Sequence, residues 1–117
     1  MKAILIDTKN KEIKEVEHDD TLKNIYKLVD CATFDVVNID NTNGIYVDDE
    51  GLFVEEPLFF IYHGTNHDGF HGRIQPLAGN GLILGVDSEG NSIAPTVTLK
   101  EVKEAVDFHS RGVSVWQ

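Results

Sequence analysis

Cysteine is almost missing from this 117-residue chain: Cys31 is the single thiol, so no intramolecular disulfide can hold the fold together. It lies in an apolar neighbourhood after a predicted helix, where a small buried thiol is expected, and a reducing cytoplasm fits its isolation. Basic charge is scarce as well, with 10 Lys and Arg against 20 Asp and Glu and a formal net charge of -10. Arg73 and Arg111 are the only arginines, and the lysines are scattered. Binding nucleic acid by neutralising its phosphates needs clustered cations, so direct DNA or RNA binding is excluded as an expectation. No apolar run approaches the roughly 20 residues that span a bilayer, and in MKAILIDTKN a short apolar run is cut off by Asp7, unlike a signal peptide. The expectation is a cytoplasmic protein with no membrane partner.

Several catalytic signatures are missing too. There is no phosphate-cradling Gly-x-x-x-x-Gly-Lys-Ser/Thr run, and no glycine-flanked serine elbow. Gly79-Asn80-Gly81 with Gly85 lacks the strand-loop-helix setting of a dinucleotide fingerprint. Asp48-Asp49 and Glu55-Glu56 are adjacent pairs whose side chains alternate in direction on an extended chain, so adjacency makes no acid/base pair. No catalytic residue and no cofactor are assigned, and a non-enzymatic protein is expected.

What is present predicts one α+β domain over residues 1–117: a mostly antiparallel sheet built from hairpins, with two helices packed on one face. Lys2 to Asp7 and Ile13 to Glu17 flank the polar turn Thr8-Lys9-Asn10-Lys11 and predict an opening hairpin whose register stays open. Asp20 or Thr21 caps a helix carrying Leu22, Ile25, Tyr26, Leu28 and Val29 at helical spacing. Phe34 to Ile39 and Ile45 to Val47 predict a second hairpin, turned by Asn43-Gly44 at positive backbone angles. Leu58 to Tyr62 and Gly81 to Val86 are strand candidates. Thr98 with Glu101 predicts a capping box opening a helix through about Phe108, with Leu99, Val102, Ala105, Val106 and Phe108 buried. Arg111 to Gln117 alternates as a strand would, and Trp116 either packs on its own domain or anchors a homodimer or another partner.

Between Tyr62 and Gly85 the chain carries His63, His67 and His71 at every fourth position among six glycines. Gly64, Gly69 and Gly72 oppose a helix there by roughly 1 kcal/mol each relative to alanine, so a loop is predicted. Three histidines with Asp68 can wrap a metal, although structural zinc prefers four closely spaced ligands, often cysteines, and no metal site is assigned. Asp68 can also orient an imidazole as a general base, but no nucleophile accompanies it. The ligand-site expectation, Tyr62, His63, Asn66, His67, Asp68, His71, Arg73, Gln75 and Asn80, is for a nucleotide-like or phosphorylated small molecule: exposed amides hold anions, Arg73 makes a bidentate phosphate contact, and Tyr62, Asn66, Phe70, Gln75 and Asn80 add base or stacking contacts. A glycine-rich connection with solvated histidines is the competing structural reading.

The acidic residues fall into two groups, Glu12, Glu15, Glu17, Asp19 and Asp20, and then Asp48, Asp49, Glu50, Glu55 and Glu56. Either they keep the surface solvated, or folding aligns them into a negative surface that a basic partner protein recognises, with Asp48, Asp49, Glu50, Glu55 and Glu56 as partner-binding residues.

The opening KAILID, the IYVDDEGL run at Ile45 to Leu52 and QPLAGNGLILGVDSEGNSIAPTVTLKEV at Gln75 to Val102 resemble the family catalogued as domain of unknown function 3846. The likeness covers nearly the whole chain. It implies a small acidic protein of a bacteriophage or mobile element and brings no reaction with it. The histidine-rich stretch between Tyr62 and Gln75 is this chain's own, so the resemblance gives no role to His63, His67 or His71. Together these features predict a binding protein that modulates a host protein, counter-defence being the leading example. The alternative is a protein that sequesters a small ligand with residues 63–75.

Overall fold

The computed structural model describes residues 1–31, 33–48, 59–62 and 77–109. Lys2–Asp7 (β1) and Glu12–Glu17 (β2) form the opening hairpin, with Asp7 accepting hydrogen bonds from the Asn10 backbone N–H at 3.2 Å and its amide Nδ2 at 2.9 Å. The pairing is regular: Ile6 faces Ile13 and Ala3 faces Val16. Ile13 and Val16 therefore point to opposite faces of the sheet, and each is half-buried because both faces are covered. No bulge is needed to use both.

Leu22–Val29 forms helix α1, and Thr21 caps it by accepting from the Asn24 N–H at 3.2 Å. Phe34–Asn38 (β3) and Asn43–Asp48 (β4) make the second hairpin. Its turn differs from expectation. Asn43 and Gly44 lie inside the strand rather than at positive backbone angles, and residues 39–42 turn the chain. The Asp40 carboxylate drives this by accepting from the backbone N–H groups of Thr42 at 2.7 Å and Asn43 at 2.6 Å, an Asx-type turn. Gly44 serves closeness instead, since a Cβ there would stand 2.9 Å from Val36 Cγ1.

Phe59–Tyr62 (β5) and Leu77–Ala78 (β6) pair antiparallel, and the chain then crosses through Gly79 and Asn80 into Gly81–Val86 (β7). Ser92–Ile93 is β8, Leu99–Ala105 is helix α2 and Val106–His109 is β9. The larger sheet runs β2-β1-β7-β4-β3, with β8 on the far end of β7, and the smaller runs β6-β5-β9. Every pairing among the described residues is antiparallel. The α+β class and the mostly antiparallel sheet are as the sequence predicts.

The placement of the helices is not. Alternation along β1 sends Ala3 and Leu5 to a cluster with Ile25 and Val29 of α1, and Ile4 and Ile6 to a cluster with Val102 of α2 and Phe60 of β5. The helices thus cover opposite faces, and α2 shares its face with the smaller sheet. The α2 prediction also overruns: Thr98 and Glu101 form the expected capping box, but the helix stops at Ala105, with Val106 already extended. Val106 and Phe108 are apolar at period two, and pairing with Tyr62 and Phe60 satisfies their backbone while both join the core cluster. No helix among the described residues is long and apolar enough to cross a membrane.

Candidate functional site

The histidine segment begins and ends on a fixed base. Tyr62 closes β5, Leu77 opens β6, and both are buried. Residues His63, Asn66, His67, Asp68, His71, Arg73 and Gln75 lie outside the described residues; Tyr62 and Asn80 are the two members of the expected ligand set that the structure places. Burial, aided by the charges of Asp40 and Glu101, pushes the Tyr62 phenol up to about 12. The phenol keeps its proton at neutral pH, so Tyr62 is a hydrogen-bonding group there rather than a base.

Folded-state Tyr62 thus resists ionisation more than the unfolded chain, whose phenol titrates near 10.0. That contribution to stability is fully present below pH 10 and is lost as pH rises through about 12. Ultraviolet titration should show one phenol ionising late, and Tyr62→Phe should abolish that late step and flatten the alkaline fall in stability. A wild-type titration with every phenol ionising near the ordinary value would contradict this placement.

Asn80 is engaged in holding the fold. Its amide oxygen accepts from the Thr8 N–H at 3.1 Å, while the Thr8 hydroxyl donates to the Gly79 carbonyl. Thr8 is buried, so these bonds tie the first hairpin to the point where the chain changes sheets. The Gly79-Asn80-Gly81 run is a structural crossing. A Cβ on Gly81 would come within 2.8 Å of Phe60 Cζ and 2.9 Å of Ile45 Cγ2.

Beside this base lies a polar network that the sequence did not single out. Asn43 is 1% exposed; its Nδ2 donates to the Asp40 carboxylate at 2.9 Å and to Thr96 Oγ1 at 2.7 Å, and its Oδ1 accepts from the Thr96 N–H at 2.9 Å. Asp40, Asn41, Thr42 and Thr96 line a shallow concavity of about 280 Å³. The cluster of Asp and Asn in Asp40-Asn41-Thr42-Asn43 was its available signal, but the partner fifty-three positions away was not. A second residue of this kind is His18, 2% exposed, whose Nδ1 is 2.6 Å from Asn24 Oδ1 and joins the exit of β2 to helix α1.

The acidic groups divide as follows. Glu12, Glu15, Glu17, Asp19 and Asp20 are all exposed along β2 and the turn after it. Side chains alternate along β2, the edge of the larger sheet among the described residues, so Glu15 and Glu17 emerge on one face and Glu12 on the other. Glu12 lies 3.8 Å from the Lys14 ammonium. Hydrogen bonds from the Thr21 hydroxyl and backbone hold the Asp19 carboxyl below its usual range, keeping it charged. Of the partner-binding set, Asp48 is half-buried at the end of β4, opposite Phe34. Asp49, Glu50, Glu55 and Glu56 lie outside the described residues, as does Trp116.

On the far side of the first hairpin, Lys11, Glu12, Ile13, Lys103, Val106 and Phe108 line an open groove of about 490 Å³. Among the described residues, no group of three or more His, Cys, Asp or Glu side chains is placed to hold a metal ion.

The model of the family described as domain of unknown function (DUF3846) matches residues 1–107. No curated protein and no solved structure matches the chain.

Proposed function

The chain belongs to the DUF3846 family, and from that premise we propose that it is a non-enzymatic binding protein of phage or mobile-element origin that modulates a host protein, with counter-defence as its leading role. The supporting observation is the edge strand β2 with its exit, which sets five exposed carboxylates on one rim of the larger sheet. Charge on an edge strand opposes strand-to-strand aggregation. The same charge speeds encounter with a basic surface, and desolvated pairs then slow release. Asp48, Asp49, Glu50, Glu55 and Glu56 are a second partner-binding group in this reading; Asp48, the described member, lies on β4, separated from β2 by β1 and β7.

The experiment is to isolate the host partner on the wild-type protein, purify it, and compare association rates for wild type and the Glu15→Lys, Glu17→Lys double variant. The reversal should slow association by about tenfold or more at low salt, and the wild-type rate should fall steeply with salt. Equal rates for both proteins, independent of salt, would sink the proposal.

A second reading, sequestration of a nucleotide-like small ligand by residues 63–75, is favoured by the setting of both ends of that segment in paired core strands, at Tyr62 and Leu77. A rigid base suits a binding loop. The nearby charges of Asp40 and Glu101 favour a cationic portion of the ligand at that base, leaving Arg73 for an anionic one. The same partner assay separates the readings, since Arg73→Ala should leave the acidic-edge complex untouched.

A further inference from the structure

The groove between the first hairpin and the α2–β9 corner concentrates what this chain otherwise lacks, positive charge beside apolar surface. Lys11 and Lys103 both line it, over side chains of Ile13, Val106 and Phe108. Among the described residues neither lysine forms an ion pair. Val106 is buried and Ile13 and Phe108 are half-buried, so a small apolar area, mainly of Ile13 and Phe108, is exposed in the groove and is fixed by the core cluster. Glu12 also lines the groove, but its carboxylate lies 3.8 Å from Lys14, which offsets its charge.

Lys103, in the last turn of α2, has a structural use, since a cation there complements the helix dipole. Lys11 has no such use. It closes the hairpin turn at φ 55, a left-handed conformation that glycine or asparagine adopts at less cost than lysine. A lysine at that position supplies an ammonium group to the groove at the expense of local backbone energy.

We infer that this groove binds a small organic anion with a flat apolar body, its anionic head between Lys11 and Lys103 and its body on Ile13, Val106 and Phe108. The site is separate from residues 63–75 and shares only Glu12 with the β2-rim carboxylates used above; Glu15, Glu17, Asp19 and Asp20 do not line it. The net charge of -10 opposes anions at long range, so the head alone binds weakly and the apolar floor is needed for affinity. Ring contact with Phe108 and burial against Ile13 supply that part.

The test is an NMR titration of the full chain with phenyl phosphate, with inorganic phosphate and benzyl alcohol as head-only and body-only probes. Saturable shifts are expected at Lys11 to Ile13 and at Lys103 to Phe108, with phenyl phosphate at least about tenfold tighter than either fragment. Lys103→Gln and Lys11→Gly should each weaken it about threefold to fivefold. Lys11→Gly relieves the left-handed backbone, so its loss of binding cannot come from a loss of fold. Lys27→Gln, on α1 across the sheet, should change nothing. The inference is overturned if phenyl phosphate gives no saturable shift, if inorganic phosphate binds equally well, or if both groove variants bind as wild type does.

Discussion

Replacing Phe60 with alanine should destabilise the protein by about 3–5 kcal/mol, the range for truncating a fully buried aromatic ring. Phe60 is 0% exposed and sits in the middle strand of the smaller sheet, in the cluster that joins that sheet to Ile4, Ile6, Ile45 and Ile83 of the larger one. Its ring also occupies the space over Gly81, where a Cβ would approach Phe60 Cζ to 2.8 Å. Gly81→Ala should therefore cost about 1–3 kcal/mol by overpacking. The two losses should not add. With the ring removed, the alanine methyl has room against Phe60's former position, so the double variant should be less destabilised than the sum. Urea unfolding of the two single variants and the double measures this coupling. Strict additivity would show that the ring does not rest on Gly81.

Asn43→Ala should cost about 2–4 kcal/mol. The side chain is buried and makes both kinds of bond at once, donating to Asp40 and Thr96 and accepting from the Thr96 N–H. Alanine leaves that N–H without its side-chain acceptor and takes one donor from the Asp40 carboxylate, which keeps its bonds from the backbone N–H groups of residues 42 and 43; losing a partner in this way costs more than the bond itself contributes. Asn43→Asp provides a control with the same shape. It retains an acceptor for Thr96 but sets a second carboxylate against Asp40, so it should be unstable at neutral pH and recover on acidification as one carboxyl takes up a proton. Thermal unfolding of the three proteins across the acid range tests both points; an Asn43→Ala protein as stable as wild type would remove the network from the account of the fold.

Local features of the fold were legible where neighbouring residues decide them. Thr98 and Glu101 announced the α2 cap, Thr21 stood next to its helix, and the apolar run from Gly81 to Val86 is a strand buried along nearly all its length. Asn43-Gly44 misled because the pair has two uses. It fits a tight turn, but here Asp40 satisfies the turn backbone first and leaves Asn43 free to reach Thr96. Val106 and Phe108 misled for a related reason: with Val102 they fit a helical stripe as well as a strand of period two, and only the open edge of β5 favours the strand.

The candidate sites divide in the same way. The exposure of Glu12, Glu15, Glu17, Asp19 and Asp20 followed from their density in a short charged strand. Asn80 had a structural partner in Thr8 that no local pattern could disclose. Lys11 and Lys103 meet at one groove although ninety-two positions separate them, and neither stands out in a list of scattered lysines.

By itself the sequence determined the class of the fold, its family, its acidic surface and the ends of most elements, because hydrophobic period, capping chemistry and net charge act over a few residues or over the whole composition. The tertiary structure decided which face each helix covers, where α2 gives way to β9, and which polar residues are spent on holding the chain together. These depend on pairing between strands distant in sequence: β7 lies between β1 and β4, and β5 between β6 and β9. Once those strands pair, alternation sends Ile4 and Ile6 to α2 and Ala3 and Leu5 to α1.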